Sequence, residues 1–392
     1  MKRQASIQAE NIDAKQMKIE IGPTDVSPIA DDIRHIKSDP SIKKLQFLSM
    51  KNGNRYTVGE YLGEGMFGLV MEISNQKNEK FAAKMIKATK DKPEVLKIEL
   101  DMMEKIAADP HESILQLIAV EQLIEPPVTL NGTVIVTRVL GPSLLDIINS
   151  AGDRMRDGDE GTTFPVSTIR QVGRQICQAM IHLESLGIFH LDLKPENVYF
   201  FDRRFELRRI EMKYLSIEMV DARVQIGDFG CSRWHPVKGA PVKPTLVQTQ
   251  NYRAPEIFMG LPHSIKSDVW SFAAILAEMY TGQLLFYGTH DEETEQSQFE
   301  LMQMITSSIP SRRMWRQAAA LESKKIIYVE KTRSYRMKKL PSRMDPTLLL
   351  HENIREKDVF AVPLFIFLDY MLVFDPIRRP SFIQCSKHRF FN

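Results

Sequence analysis

Three glycines, Gly63, Gly65 and Gly68, are the first candidates for chemistry in this sequence of 392 residues. They form the pattern G-x-G-x-x-G-x-V, which ends at Val70 between two segments that alternate like β-strands. Glycines in such a turn let backbone N–H groups approach phosphate oxygens without interference from a Cβ atom. Hairpins with glycines are common, so this motif alone is a weak indication of phosphate binding.

A lysine and a glutamate follow the glycines at spacings that suit the same chemistry. Lys84 lies on a short apolar run 21 residues after Gly63, and Glu99 follows after a further 15 residues. A lysine buried beside phosphates needs a carboxylate to hold it in place. Glu99, on a predicted helix, is the candidate for that carboxylate.

Three more motifs follow in the second half of the chain. They are His190-Leu-Asp-Leu-Lys-Pro-Glu-Asn197, Asp228-Phe-Gly230 and Ala254-Pro-Glu256. Together with the glycines, the lysine and the glutamate, they resemble the signature motifs of protein kinases in their order. Any one of the six could arise by chance, but six in order could not. The resemblance extends from about Tyr56 to the C-terminus.

The elements that must position these motifs divide the chain into a small and a large part. The alternation predicts strands over 56–73, 80–87 and 133–140, with a helix over 94–107. Beyond a hinge near 138–141, it predicts helices over 167–186, 267–281, 302–309 and 359–373. The kinase resemblance implies an α+β fold with two lobes, a β-rich N-lobe at about 51–140 and a helical C-lobe at about 141–392. Residues 1–50 are polar with a single aromatic, which predicts a flexible arm.

The resemblance also implies roles for four catalytic side chains. Lys84 would hold the α and β phosphates of ATP and would itself be oriented by Glu99. Asp192 would accept or orient the proton of the substrate hydroxyl, and Lys194 would stabilise the γ phosphate. Lys194 lies two residues after Asp192, and a lysine at that place resembles Ser/Thr kinases rather than tyrosine kinases.

The implied cofactors are ATP and Mg²⁺. Asn197 and Asp228 are the implied metal ligands. The implied nucleotide site is made of the glycine loop, its flanking strands and the hinge. Its residues are Leu62, Gly63, Glu64, Gly65, Met66, Phe67, Gly68, Val70, Ala82, Lys84, Thr137, Val139, Leu140 and Tyr199.

Three further residues resemble structural supports of kinases. Glu256 of the Ala-Pro-Glu motif and Arg379 resemble the buried ion pair that anchors the activation segment. Asp268 resembles the helix aspartate that braces the catalytic loop. Thr249 resembles the hydroxyl that braces Asp192 and Lys194.

Within the kinases, the chain resembles the LAMMER or CLK group of dual-specificity enzymes, with the DYRK and HIPK kinases next. Leu191 replaces the usual arginine of the catalytic loop, where this group has threonine. Residues 198–227 leave room for an inserted hairpin beginning near Phe205, and Thr249-Gln-Asn-Tyr-Arg-Ala-Pro-Glu256 is similar to the group's STRHYRAPE. The segment 299–304 occupies the place of the name-giving motif but has diverged from it.

The nucleotide site departs from that group at three positions. Thr137 stands where a bulkier Phe is typical, and Gly227 stands where Val is usual, so both should deepen the pocket. Tyr199 lies at the adenine floor, which is usually Leu. We expect Tyr199 to compensate sterically for the missing bulk at Gly227.

Two functions from different classes follow from these observations. The first is an ATP- and Mg²⁺-dependent protein Ser/Thr kinase, with dual specificity as an extension. The second is a pseudokinase scaffold that binds nucleotide or a partner without transfer. Leu191 also permits two interpretations, activity without phosphorylation of the activation segment or drift in an inactive copy; the intact catalytic positions favour the first.

The composition limits the partners and the compartment. A net charge of +2 predicts neither a nucleic-acid binder nor an acidic tail, although 231–247 and 331–343 are basic and 291–300 is acidic. The three cysteines form no disulfide framework, and no segment has the length of a membrane span. We expect a monomeric intracellular protein with protein substrates, Arg/Ser-rich or basic ones among them. Nuclear location is favoured by the resemblance only, and Cys231 is expected to be an ordinary small residue rather than a reactive thiol.

Overall fold

The protein is described here by a computed structural model. It describes residues 45–64, 68–88, 93–210, 213–235, 246–287, 292–321, 326–329, 334–337, 355 and 358–392. The strands are β1 Phe47–Ser49, β2 Arg55–Glu64, β3 Gly68–Ser74, β4 Lys80–Lys87, β5 Leu117–Gln122, β6 Leu130–Arg138, β7 Gly161–Thr163, β8 Ile188–Phe189, β9 Val198–Phe200, β10 Phe205–Ile210, β11 Tyr214–Met219, β12 Val224–Ile226, β13 Arg233–Trp234, β14 Ile326–Val329 and β15 Ser334–Met337. The helices are α1 Pro93–Ala108, α2 Leu144–Gly152, α3 Val166–Ser185, α4 Pro255–Phe258, α5 Ile265–Thr281, α6 Glu292–Thr306, α7 Arg312–Ala320, α8 Val362–Met371 and α9 Phe382–Ser386.

The N-lobe is a six-stranded antiparallel sheet in the order β1-β2-β3-β4-β6-β5. Its apolar core includes Ile73, Met85 and Val134, which alternate with cleft-facing positions along their strands. Helix α1 carries Glu99, and it buries Met102 and Met103, as expected for the apolar face of a helix. The strand predicted at 80–87 and the helix predicted at 94–107 are both present.

The sheet begins earlier than the sequence predicted. Residues 1–44 of the predicted arm lie outside the described residues. Strand β1, however, falls inside the predicted arm, pairs with β2, and is followed by Met50, which bridges Leu123. Leu48 and Met50 are buried in the N-lobe core, so a boundary at residue 50 is too late.

The C-lobe is built around α3 and α5. Ser264 caps α5 through a capping box, and the helix ends at Gly282, whose φ of 70° is left-handed. A Cβ at Gly282 would lie 2.3 Å from the carbonyl oxygen of Thr162, so only glycine allows this close approach. Helix α5 is buried almost all round because α3 and α8 pack against it.

The inserted hairpin predicted near Phe205 is present. Strands β10 and β11 pair from Phe205↔Met219 to Ile210↔Tyr214. Strand β11 also pairs in parallel with β7, which attaches the hairpin to the C-lobe. The hairpin and β7 therefore form one three-stranded sheet, and α2 packs against β7.

Two predicted helices have different limits. Helix α6 already begins at Glu292 and ends at Thr306, so the range 302–309 captured only its last turn and ran past its end. The range 359–373 begins as a 3-10 turn at Val359–Ala361 and continues as α8. Among the described residues, no helix combines the length and apolarity that a bilayer crossing requires.

Candidate active site

The described part of the glycine motif lies where β2 ends and β3 begins. Gly63 pairs with Val70, and Gly68 pairs with Ile86 of β4. A Cβ at Gly68 would lie 2.5 Å from the carbonyl oxygen of Met85, so the turn can return onto β4 only with glycine there. Gly65, Met66 and Phe67 lie outside the described residues.

Lys84 lies between two carboxylates. Its Nζ is 2.6 Å from Oε1 of Glu99 on α1 and 3.4 Å from Oδ1 of Asp228. Burial lowers the pKa of Lys84, but the charges of Asp228 and Glu99 raise it by more than burial lowers it. The net pKa of Lys84 therefore lies above the ordinary lysine value. Lys84 is therefore a fixed cation in the cleft, as the sequence predicted for a phosphate-binding lysine held by Glu99.

Asp192 is held by a short network in the catalytic loop. The backbone N–H and the hydroxyl of Thr249 donate to its Oδ1 at 3.1 and 2.7 Å. Lys194 Nζ lies 3.1 Å from its Oδ2 and donates to Thr249 Oγ1 at 3.0 Å. Thr249 thus braces both residues, as predicted, and the rotation of the Asp192 carboxylate is fixed.

Asp268 of α5 supports the backbone of that loop. It accepts the N–H of His190 at 3.1 Å and of Leu191 at 2.8 Å. Leu191 has a φ of 57°, a left-handed conformation that is costly for leucine and that these bonds help to maintain. Burial raises the pKa of Asp268 to about 8. The predicted brace is present.

His190 is a packed residue rather than a free acid or base. Its ring is fully buried against Phe229, with 5.5 Å between ring centroids. Nδ1 accepts from the Asp192 N–H at 3.2 Å, which leaves Nε2 to donate to the Gly227 carbonyl at 3.1 Å. Burial lowers the pKa of His190, so its neutral form is favoured.

Asn197 and Asp228 offer oxygen donors that fit a hard cation such as Mg²⁺. The Asn197 amide donates through Nδ2 to the Asp192 carbonyl at 2.8 Å, which directs Oδ1 away from that bond. Burial raises the pKa of Asp228, but Lys84 and Lys194 lower it more, so its net pKa lies below the usual aspartate value. Asp228 is thus held as the anion that a metal ligand must be.

The predicted adenine walls are brought together by strand pairing. Ala82 pairs with Thr137 across β4 and β6, and Val70 pairs with Lys84 across β3 and β4. Leu62, at the hairpin edge, is exposed, whereas the hinge residues Val139 and Leu140 are half-buried. The hinge is followed by a bridge between Ser143 and Tyr199, which brings the predicted floor residue beneath it.

Tyr199 occupies the space that Gly227 leaves. A Cβ at Gly227 would lie 3.3 Å from Cε2 of Tyr199 and 3.1 Å from Cδ2 of Leu115. These contacts are tight, so the predicted steric compensation is present. Gly227 consequently does not deepen the pocket, contrary to one of our expectations. Burial, and then Asp228, raise the pKa of the Tyr199 phenol to about 12.

The activation segment is anchored in the core of the C-lobe. Arg379 Nη2 lies 2.8 Å from Oε2 of Glu256, and both side chains are buried. Nη1 of Arg379 donates to Oε1 of Glu256 at 2.9 Å, so the predicted buried ion pair is present and is bidentate. Gln248, which the sequence did not single out, accepts from the Ala254 N–H and donates to Ser271.

Three acidic residues near the site were missed from the sequence. Asp146 forms a capping box with Ser143 at the start of α2, and the spacing Ser-x-x-Asp could have revealed it. Glu196 has a buried oxygen, Oε2, without a hydrogen-bond partner. Glu278 of α5 accepts the Tyr252 hydroxyl at 2.6 Å. The last two lie far apart in sequence, and no spacing rule connects them.

Cys231, next to Asp228-Phe-Gly230, does not have the setting of a reactive thiol. Burial, and then Asp192 and Asp228, raise its pKa to about 12. All three cysteines are free. The expectation of an ordinary residue at this position is supported.

The sequence of the chain matches a known protein family, and this match identifies the family that the geometry suggests. The protein kinase domain matches residues 56–391. The chain belongs to the protein kinase family. The matched range of this kinase holds every side chain of the site described above and nearly all of both lobes, with β1 lying before it.

The chain is similar to curated dual specificity protein kinases. The kinase is 29% identical to mouse dual specificity protein kinase CLK1 over 86% of its own length and 66% of that protein. It is 28% identical to dual specificity protein kinase lkh1 of Schizosaccharomyces pombe over 94% of its length and 50% of that protein. The chain thus spans about half to two thirds of the length of these relatives. A crystal structure of a kinase domain superposes with a TM-score of 0.71 at 26% identity, covering 89% of this chain and 98% of the other.

Proposed function

We propose that this kinase transfers the γ-phosphate of ATP to serine and threonine hydroxyls of proteins, with tyrosine as a secondary acceptor. The observation that carries the proposal is that two separate networks are assembled together. Lys84 lies between Glu99 and Asp228, and Asp192 is held by Thr249 and Lys194. Phosphoryl transfer depends on positioning and charge neutralisation, and these networks supply both.

The proposed roles follow from these contacts. Lys84, restrained by Glu99, binds the α and β phosphates as a permanent cation. Asp192 accepts a hydrogen bond from the substrate hydroxyl and orients its oxygen for in-line attack. Lys194, 3.1 Å from Asp192, stabilises the charge on the γ-phosphate as it is transferred.

Asn197 and Asp228 are the residues that would hold Mg²⁺. When bound, Mg²⁺ neutralises charge on the phosphate oxygens. The carboxylate and the amide oxygen match its preference for hard oxygen ligands, and a site completed by phosphates needs only one or two carboxylates.

The alternative of a pseudokinase scaffold is less well supported. An inactive copy is free to lose one of its catalytic side chains, whereas here every proposed phosphate, metal and base position keeps a suitable residue. Leu191 takes the place of the arginine that binds a phosphorylated activation segment. Its backbone carbonyl instead accepts the N–H of Gln248, which links the catalytic loop to the activation segment without a phosphate.

We infer that the favoured protein substrates carry arginine near the acceptor hydroxyl. Glu196, beside Lys194 and Asp192, keeps one carboxylate oxygen without a partner. This oxygen lies in the catalytic loop, and a substrate guanidinium can donate to it as arginine commonly does to a carboxylate.

A peptide series tests this substrate preference. Arg-Ser peptides should be phosphorylated with a lower KM than matched Ala-Ser peptides, and Glu196→Gln should remove most of that difference. Equal KM values for both peptides in the wild type would contradict the preference while leaving phosphotransfer intact.

The proposed cellular setting follows from the cysteines and from the related kinases. Three free cysteines fit a reducing compartment. The relatedness to CLK-type kinases favours the nucleus over the cytoplasm, and we propose a monomer that binds neither nucleic acid nor membrane.

The function itself is tested by incubating the purified protein with labelled ATP, Mg²⁺ and an Arg-Ser peptide. Incorporation into serine that depends on Mg²⁺ and exceeds an Asp192→Asn control supports the kinase. Nucleotide binding with no incorporation above that control supports the scaffold instead.

A further inference from the structure

Glu64 has a side-chain role separate from the glycines on either side of it. Its Oε1 lies 2.7 Å from Nζ of Lys87, at the end of β4. Its Oε2 accepts the Tyr61 hydroxyl at 3.4 Å. The Lys87 side chain is 6% exposed and the Glu64 side chain 20%, so this ion pair is largely withdrawn from solvent.

The position of this pair in the sheet is unusual because its two strands are not neighbours. Glu64 is the last residue of β2, and β3 lies between β2 and β4 in the strand order. The ion pair therefore reaches across the beginning of β3, where Gly68 lies directly on Met85. It connects the β2 arm of the glycine hairpin to β4, the strand that carries Lys84.

The pairing of β2 with β3 is irregular just before this end of β2. The β2–β3 register shifts between Val58 and Tyr61 and again between Tyr61 and Gly63. Such irregularities interrupt the ladder of hydrogen bonds and allow the hairpin to bend. A side-chain connection therefore has more influence on the position of the hairpin tip here than it would beside a regular ladder.

We propose that Glu64 and Lys87 form a strut that positions the glycine hairpin over the phosphates before the nucleotide arrives. The proposal rests on the proposed function, since it assumes that the nucleotide binds beneath this hairpin. Without the strut, the nucleotide must itself order the hairpin when it binds. The entropic cost of this ordering lowers the affinity for the nucleotide. Once phosphates are bound, they hold the hairpin, so the transfer step at saturating ATP changes little.

The sheet supplies a matched control. Glu72 on β3 and Lys80 on β4 form an ion pair of 2.8 Å, but they lie on adjacent strands at the end remote from the glycines. Their connection duplicates one that the regular β3–β4 ladder already makes. Loss of this pair should leave nucleotide binding unchanged.

The test measures the Kd of MgADP by calorimetry, together with KM for ATP and kcat. Glu64→Gln should weaken MgADP binding and raise KM about five- to tenfold, with kcat changed less than about twofold. Glu72→Gln should change none of the three. The double variant Glu64→Lys with Lys87→Glu should recover part of the lost affinity, which general destabilisation of the lobe would not allow.

Each outcome decides the proposal. Unaltered MgADP affinity in Glu64→Gln, an equal loss in Glu72→Gln, or a fall in kcat alone would overturn it. If the charge-reversed protein does not fold, Tyr61→Phe serves as the second variant. It should cause a smaller loss of MgADP affinity, and the absence of any loss would contradict the strut. A wild type that binds MgADP without transferring phosphate would contradict the proposed function and leave the strut standing.

Discussion

Tyr199 and Gly227 are matched in size, and the match determines the shape of the nucleotide floor. The tyrosine ring lies against the position where any other residue at 227 would carry its Cβ. The backbone of Gly227 cannot move to relieve a clash, because its N–H donates to the Asn197 carbonyl at 3.0 Å and its carbonyl accepts from His190 at 3.1 Å. The two positions are therefore energetically coupled.

This coupling predicts that the effect of Gly227→Val on MgADP binding changes sign in a double-mutant cycle with Tyr199→Leu. Gly227→Val alone should weaken MgADP binding at least about tenfold, because the new side chain displaces the Tyr199 ring. Tyr199→Leu alone should leave a void beside Leu115 and weaken binding less. The combined variant should bind within about threefold of the wild type, with calorimetric Kd values as the measurement. Additive losses in the double variant would contradict the matched pair.

The buried carboxylate of Glu278 predicts a pH dependence of stability. Its folded-state pKa is raised to about 8, whereas in the unfolded chain it is about 4.3. Between these values the folded state binds the extra proton, so the free energy of unfolding falls as pH rises, by up to about 1.4 kcal/mol per unit. Glu278→Gln keeps a hydrogen-bond acceptor for Tyr252 but cannot titrate.

The difference between wild type and Glu278→Gln isolates this effect. Urea denaturation between pH 5.5 and 7.5 should show the wild type losing stability relative to the glutamine variant as pH rises. Parallel curves for the two proteins would show that the raised pKa of Glu278 is wrong.

Among the elements, α5 does the most to connect the parts of the site. Asp268 at its start supports the catalytic loop, Ser267 donates to Glu256 at 2.7 Å, and Ser271 donates to the Tyr252 carbonyl at 2.7 Å. Because the helix is buried in the C-lobe core, these contacts give the catalytic loop and the activation segment one common rigid support.

The buried ion pair between the activation segment and the C-terminal region should therefore be costly to break. Arg379→Met leaves Glu256 as an unpaired buried charge, which should destabilise the protein by about 3–5 kcal/mol. Chemical denaturation measures the loss. Arg204→Met, which removes an exposed bidentate partner of Asp202, is the control and should cause no measurable change. A loss for Arg379→Met no larger than for the control would contradict the anchoring role.

Elements with strong local patterns could be predicted, and elements defined by distant partners could not. The strand carrying Lys84 and the helix carrying Glu99 follow from apolar periodicity. Strand β1 has only three residues and exists because β2 pairs with it, so no local pattern marks it. Helix α6 begins in a run of acidic residues without an apolar stripe, which hid its first turns.

For the whole molecule, motif order was sufficient to indicate the kinase fold and the residues that converge in the cleft. Lys84 and Asp228 are 144 positions apart, yet both could be assigned because each lies in a recognisable motif. Gln248 and Glu278, which are connected through Ser271 and Tyr252, could not be assigned as a network, since their contacts depend on how the activation segment folds over α5. The site's centre was thus predictable, and its substrate-facing edge was not.

We infer that this kinase transfers phosphate without phosphorylation of its activation segment. Leu191 and Gln248 join the catalytic loop to that segment by a backbone hydrogen bond of 3.1 Å. The two networks around Lys84 and Asp192 consist of side chains of this chain.

The most direct test uses protein that has been treated with phosphatase and shown by mass spectrometry to carry no phosphate. Its turnover of an Arg-Ser peptide is measured during the first catalytic cycles. We predict turnover equal to that of the untreated protein, and a loss of at least about 100-fold in Asp192→Asn with MgADP affinity unchanged. Turnover of the treated wild type no higher than that of Asp192→Asn would contradict the account.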